Sequence, residues 1–320
     1  MKLPSWIGDR LAAMLEGASR RDLAGRAEAL SRRYRGGGTS APIAGEADAL
    51  AYALARMPAT YAAVRAAFSA AAELADFAPG SVLDVGAGAG AASWAALEAW
   101  PSIARAHLLD RNESLLGLAR RLSEGEGAPG ADFAFTLATM EQGLEAAPEA
   151  DLAVASYALT ELPMAEAVDA ARALWRRARE MLAIVEPGTP DGFARILAYR
   201  DALIGEGAHI LAPCTHEAAC PLAGAARWCH FSQRLARSRD HLALKDARVP
   251  YEDEKYSYLV AARTLRRPEG VRRVLATPNV NKARVVLDLC APGAVEQRVV
   301  ERRAGEEYKI AKRADWGDLV

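Results

Sequence analysis

The chain has 320 residues, 51% of them hydrophobic and 25% charged, with a formal net charge of −1. That balance excludes a disordered chain and a uniformly basic polyanion binder, and the length allows one large domain or two modest ones. No run of 18 apolar residues occurs, so the sequence holds no candidate membrane-crossing helix. Residues 5–35 open with helical spacing: Trp6, Ile7, Leu11, Met14 and Leu15, then Leu23, Ala27 and Leu30. The start, MKLPSWIGDRL, lacks the apolar stretch of a secretory signal, and Asp9, Glu16, Asp22 and Glu28 argue against an acid-poor transit peptide. A cytoplasmic protein is expected. The run from Arg35 to Thr39 (RGGGT) reads as a flexible linker, and an alanine-rich helical region follows over 46–77, interrupted at Met57-Pro58. These helices are expected to pack beside the next segment, with the arginines of 20–35 a secondary candidate for phosphate contact.

The stretch Ser81–Gly90, SVLDVGAGAG, organises the rest of the chain. Val82, Leu83 and Val85 make a short strand, Gly86, Gly88 and Gly90 follow at every second position, and 91–100 is helical in composition. A strand running into a glycine loop and then a helix brings backbone N–H groups close to a bound nucleotide. The spacing is GxGxG rather than the GxGxxG of dinucleotide sites. With Asp84 in the strand end it resembles motif I of the S-adenosylmethionine (SAM)-dependent methyltransferases. A glycine turn in some other α/β protein is the plainer reading.

A second strand is expected over 104–109, ending on Asp110, where an acidic residue accepts hydrogen bonds from ribose hydroxyls. The alternative is a cap for the helix that runs to Leu122. Strands are further expected at 132–137, 151–157 and 181–185, with a helix at 165–179. Thr139, Met140 and Glu141 fall where adenine contacts commonly lie, and Tyr157, closing the fourth strand, joins Asp84, Gly86, Gly88, Gly90, Asp110 and Met140 as a candidate cofactor-binding residue. This alternation predicts an α/β fold: a doubly wound, mostly parallel, Rossmann-like SAM-methyltransferase sheet. Three regions are expected: N-terminal helices (1–77), the SAM-binding core (78–205), and a carboxy-terminal part (206–320). The last holds a cysteine loop, the remaining core strands and a small β extension.

Cys214, Cys220 and Cys229 fall within 16 residues, and Cys290, the only other cysteine, ends a predicted strand. Four cysteines so placed in a reducing compartment point to a metal site rather than to disulfides. Spacing leaves open an all-cysteine zinc site, a zinc site of three cysteines and one histidine, and a [4Fe–4S] cluster. His216 and His230 are the alternative ligands, with orientation of the loop their plainer role. Reduced, buried cysteines are the bland reading. From Arg227 to Arg313 the sequence carries 20 Lys/Arg against 11 Asp/Glu, which leaves the remainder strongly acidic. Arg234, Arg237, Arg239, Lys245, Arg266 and Arg267 are the candidates for RNA phosphate contact. Interspersed acids (Asp240, Asp246, Glu252–Glu254) fit a solvated face equally well.

From about residue 50 to the end, a series of short motifs carries a resemblance. They are RMPATY (Arg56–Tyr61), the glycine loop, SYALTELP (Ser156–Pro163), EPGTPDGF (Glu186–Phe193) and HILAPC (His209–Cys214). CPL (Cys220–Leu222), WCHF (Trp228–Phe231), EDEKYSYL (Glu252–Leu259) and YKIAKRADWGD (Tyr308–Asp318) complete the series. Together they resemble the methyltransferase-like proteins associated with the mitochondrial small ribosomal subunit and their bacterial relatives. The resemblance implies a SAM-type fold, a [4Fe–4S] cluster on Cys214, Cys220, Cys229 and Cys290, and a role with small-subunit ribosomal RNA or its assembly intermediates. For this chain it implies a bacterial, cytoplasmic setting. No catalytic residue follows: Ser156-Tyr157-Ala158-Leu159 lacks the Pro-Pro of base-amino methyltransferases, and no cysteine precedes Cys214. An assembly factor without catalysis, and a small-molecule methyltransferase with a zinc clip, are the competing expectations.

Overall fold

Helices come first, as their apolar spacing requires. The computed structural model describes residues 1–35, 42–125, 127–244 and 248–320. It begins with α1 (Ser5–Met14), α2 (Arg20–Arg35), α3 (Glu46–Ala55) and α4 (Met57–Ala72). Pro58 falls in the first turn of α4, where a missing N–H costs nothing, so the expected interruption is a helix start. The glycines of the expected linker, and Lys245, lie outside the described residues.

The α/β part then runs β1 (Ser81–Val85), α5 (Ala91–Ala99), β2 (Arg105–Asp110), α6 (Glu113–Ser123), β3 (Asp132–Leu137) and α7 (Met140–Ala146). It continues through β4 (Ala150–Ser156), α8 (Met164–Arg177), β5 (Ala178–Pro187), α9 (Pro190–Gly205) and β6 (His209–Ala212). The chain closes the sheet with β7 (Phe231–Ala236), α10 (Arg239–Leu244) and β8 (Tyr251–Ala262). The order is β3-β2-β1-β4-β5-β8-β6, with β7 paired to the free stretch of β8. Strands β1 to β5 are mutually parallel, whereas β8 runs antiparallel to β5, from Met181 opposite Ala262 to Pro187 opposite Tyr256. The fold is α/β with a mostly parallel Rossmann-like sheet.

Buried side chains alternate between the two faces with the period of two that a strand dictates. Val82, Leu152, Val154, Met181 and Ala183 pack toward α1–α6, while Leu83, Ala153, Leu182 and Ile184 pack toward α7–α9. β5 is longer than its apolar run because Ala178 still pairs with Ala150 of β4, and Glu186 and Pro187 pair with Ser257 and Tyr256 of β8. The helix before it stops at Arg177, whose guanidinium donates to the carbonyls of Leu144 and Glu145 at the end of α7.

A second, antiparallel sheet comprises β9 (Arg273–Val274), β10 (Asn279–Val280), β11 (Arg284–Ala291) and β12 (Ala294–Glu301). It packs with α11 (Glu306–Arg313) around Val274, Val285, Leu287, Leu289, Val300 and Ala311.

Candidate cofactor cleft and cysteine site

Parallel strands ending side by side leave a crevice at their carboxy ends, and loops there face a ligand. After Val85 the chain turns back on β2: Gly86 and Ala87 donate to the Leu109 carbonyl at 2.8 and 3.0 Å. Gly86 has φ +70°, and a Cβ there would lie 2.3 Å from that of Ala158, so no other residue fits between the ends of β1 and β4. Gly90 has φ +83°, with the Trp94 ring 2.7 Å from where its Cβ would stand. Gly88 instead leaves room for a Cβ, which would meet Leu115 and the Tyr52 hydroxyl in ordinary van der Waals contact at 3.8 Å.

Asp84 and Asp110 divide the work of holding this loop. Asp84, fully buried, accepts from the Ser93 N–H and Oγ–H at 3.0 and 2.8 Å and so pins the first turn of α5. Burial pushes its carboxyl up to about 7. Asp110 accepts from Gly88 N–H and Asn112 N–H, each at 2.7 Å. Burial raises its pKa too, opposed by those two bonds. The cap of α6 is Asn112, whose Oδ1 accepts from Leu115 N–H at 3.0 Å, so Asp110 does not serve as that cap.

The resulting cleft has a volume of about 1930 Å³, and Gly86, Gly88, Asp110, Met140 and Tyr157 all line it. Asp84 and Gly90 do not, and support the loop from behind. Tyr157 is held at φ +56°, rare for a side-chain-bearing residue, with its N–H on the Val185 carbonyl. Its hydroxyl donates to Glu254 at 3.0 Å, and Arg56 stands 3.7 Å from the same carboxylate. Burial and the neighbouring Glu254 raise the phenol pKa well above its ordinary value. Arg56 and Thr60, from the start of α4 and its preceding residue, also line the cleft, as do Arg237 and Glu252. Sequence reasoning assigned no role in the cleft to Arg56 or Thr60. Their signal was the RMPATY motif, which carried the resemblance without a mechanism.

The four cysteines converge on a second, small pocket of about 20 Å³ beneath the loop that follows β6. Thr215 donates to the Cys290 carbonyl at 3.2 Å, and Ser257 to that of Cys229 at 2.9 Å. Burial lifts the thiols of Cys214 and Cys229, and takes Cys290 up to about 12. His216 Nε2 lies 3.6 Å from Cys290 Sγ. His230 sits between the rings of Trp228 and Trp316, at centroid distances of 5.1 and 4.8 Å. Among the described residues no three His, Cys, Asp or Glu side chains stand at the spacing that a single metal ion requires.

The candidate RNA contacts are dispersed and largely engaged. Arg234 pairs bidentately with Asp253 at 2.7 and 2.8 Å and lies over the Tyr251 ring. Arg237 pairs with Glu252 at 3.1 Å, and Arg267 with Glu217 at 2.6 Å. Arg266 donates to carbonyls of its own turn, and Arg239 opens α10. By contrast Lys282, Arg284, Arg302, Lys312 and Arg313, all exposed on the second sheet and α11, have no carboxylate partner among the described residues.

Strand order, the glycine loop ending β1 and the acid ending β2 define a protein of the Rossmann-like methyltransferase fold. A family model described as mitochondrial small ribosomal subunit Rsm22 matches residues 46–320, and the chain belongs to that family. The human mitochondrial ribosome assembly protein METTL17 is 31% identical over 296 residues, covering 86% of this chain and 63% of the relative. The Rsm22-cox11 tandem protein 2, mitochondrial, of Schizosaccharomyces pombe is 25% identical over 293 residues, covering 74% and 38%. The chain thus spans less than two thirds of the length of these curated relatives. A solved magnesium protoporphyrin IX methyltransferase from Synechocystis PCC 6803 with bound SAM is similar at 19% identity and a TM-score of 0.40. That likeness covers 64% of this chain and 78% of the other. The family and these relatives are mitochondrial by description, which overturns the bacterial, cytoplasmic setting expected from the sequence and the resemblance.

Proposed function

We propose that this chain binds SAM in the cleft and acts with small-subunit ribosomal RNA or an assembly intermediate of that subunit. The observation that carries SAM binding is the cleft wall itself, where Gly86, Gly88, Asp110, Met140 and Tyr157 meet at the strand ends. There the Gly88 backbone approaches without a side chain, and Asp110 keeps lone pairs beyond the two N–H bonds it accepts, available to ribose hydroxyls. Family membership supports the ribosomal role, and the cations in or beside the second sheet and α11 that have no carboxylate partner among the described residues are the side chains suited to phosphate.

Calorimetric titration tests the first part: SAM binds the wild type, and Gly88→Arg, which fills the cleft, abolishes binding while the chain stays folded. No binding by the wild type overturns it. For the second part, RNA affinity is measured across a salt series. Replacing Arg302, Lys312 and Arg313 by Ala lowers the log–log salt slope by about 2, at ~0.7 per lost single-strand phosphate contact. An unchanged slope removes this surface from the interface.

Methyl transfer to RNA is a second reading, favoured by the size of the cleft. Its volume of about 1930 Å³ exceeds the ~1,000 Å³ upper range of small-ligand pockets and leaves room for an acceptor beside SAM. Methyl incorporation from labelled SAM into small-subunit RNA supports this reading, and its absence in a SAM-binding protein leaves an assembly factor.

The cysteine pocket is read as a metal site, with Cys214, Cys220, Cys229 and Cys290 as ligands. A [4Fe–4S] cluster is preferred and zinc is the alternative. The donor set fits: four soft sulfurs line one pocket, beside buried guanidinium nitrogens that lack partners. A single zinc would draw the four sulfurs to within about 4 Å of one another, and no three His, Cys, Asp or Glu among the described residues are placed to hold one metal ion. When bound, the group supplies a covalent clip between the loop and β11. Iron, sulfide and zinc analysis of anaerobically purified protein distinguishes the two metals.

A further inference from the structure

Arg200 of α9 and Arg273 of β9 are each 1% exposed, and both line the pocket that the four cysteines share. Arg200 Nη2 donates to the carbonyls of His216 and Ala218 at 2.8 Å, and its Nη1 lies 3.2 Å from Asp201, whose side chain is 74% exposed. Arg273 donates only to carbonyls, those of Pro213 at 3.1 Å and Gly317 at 2.7 Å. Arg200 Nε and Arg273 Nη2 are buried without a hydrogen-bond partner. A buried cation without an anion is among the costliest groups a fold can hold. Among the described residues no carboxylate pairs with Arg273, and Arg200 has only one, out in solvent. What both guanidiniums share is the wall of sulfurs.

Four neutral thiols would leave both charges uncompensated. Four thiolates on a divalent ion, or on a doubly positive iron–sulfur core, carry a net two negative charges, which two guanidiniums match in number. We propose that Arg200 and Arg273 are the counter-charges of a thiolate-ligated metal group at Cys214, Cys220, Cys229 and Cys290. They are positioning residues that set how much negative charge the pocket holds. The inference rests on the metal reading above and adds to it residues outside the ligand set. Carbonyl bonds alone would make the two arginines simple struts for the loop, and the test separates charge from strut.

The full chain is reconstituted anaerobically as wild type, R200Q, R273Q, R200K and R273K, and iron, sulfide and zinc are quantified. In iron-loaded protein the reduction potential is titrated; in zinc-loaded protein the release rate to a chelator is followed. Each Gln variant shifts the reduction equilibrium at least tenfold toward the oxidised state, about 59 mV for one electron, or speeds zinc release at least tenfold. Each Lys variant keeps the charge and stays within about threefold of wild type. Unchanged values in both folded Gln variants overturn the counter-charge role and leave the metal site standing. A wild type that takes up neither iron with sulfide nor zinc overturns both. Where a Gln chain fails to fold, its Lys partner decides: a tenfold loss there overturns the role, and retention supports it.

Discussion

Gly86 and Gly88 share a loop, a motif and a positive φ, and differ in what a methyl group would meet. At Gly86 the new Cβ would stand 2.3 Å from Ala158, so Gly86→Ala is expected to cost about 3 kcal/mol or more from overpacking and strain together. At Gly88 a Cβ meets only ordinary van der Waals contacts at 3.8 Å, and Ala costs about 1 kcal/mol from the left-handed conformation alone. Urea unfolding of the two variants checks the contrast, and equal costs would refute it. Glu186 gives a second test. It is fully buried; Oε1 takes a 3.3 Å bond from Tyr199, while Oε2 has no partner. Burial lifts its pKa from 4.5 to about 8. A carboxyl raised in the native state holds its proton more tightly there than in the unfolded chain. Its contribution is therefore complete below pH 4.5 and is lost as pH rises through about 8. E186Q is expected to flatten the fall of the urea midpoint between pH 5 and 9. An equal fall in the variant would place the loss elsewhere. The sequence made the glycine loop legible but compressed two jobs into one motif. Asp84 and Gly90 brace the loop while Gly86, Gly88 and Asp110 face the cleft, a difference set by Ser93 and Trp94 packing behind it.

Among the elements, α6 shows how one cap couples two layers. Asn112 accepts from Leu115 N–H and donates from Nδ2 to the Ile43 carbonyl at 2.9 Å, joining the helix start to the segment before α3. Asn112→Ala is expected to cost about 2 kcal/mol, the sum of a cap and a buried tertiary bond, read as a lower urea midpoint with an unchanged slope. A loss of a few tenths would mean that water replaces both bonds. Most elements from β1 to β5 were readable from apolar periodicity because each is a local pattern. The position of β8 was not. Its EDEKYSYL motif is visible, but insertion between β5 and β6 depends on pairing with residues 48 to 81 positions away. The same strand explains the engaged arginines: cross-strand register puts Arg234 directly opposite Asp253. Interspersed acids were visible in the sequence; which arginine each would neutralise was not.

For the whole molecule, the cysteine site lies where the two sheets meet, beside the Arg227–Asp288 ion pair and the packing of Phe193 and Leu222 on Leu275 and Cys290. Cys214, Cys220 and Cys229 belong to the loops after β6, and Cys290 to the second sheet. With the proposed metal group bound, the two sheets are expected to resist protease as one unit. Chelation, or Cys290→Ser, is expected to open cleavage in 213–230 and the β9 region at least tenfold faster, leaving β1–β5 protected. Uniform protection of both forms would show that Arg273 and the Thr215 bond hold the sheets without a clip. The charge asymmetry of the sequence also acts at this scale. Arginines near β7 are paired with Asp253 and Glu252, whereas Lys282, Arg284, Arg302, Lys312 and Arg313, in or beside the second sheet and α11, are exposed with no carboxylate partner among the described residues.

The place of β8 also governs how the chain is made. β5 ends at Pro187 and β8 begins at Tyr251, so the strand that seals the β5 edge starts 64 residues later in translation. At about 5–20 residues per second that edge waits roughly 3–13 s with its backbone groups unpaired. A nascent chain at that stage holds a nearly finished nucleotide fold with one sticky border, open to other strands. Vectorial synthesis therefore makes the last core strand the step that commits the protein to its native sheet.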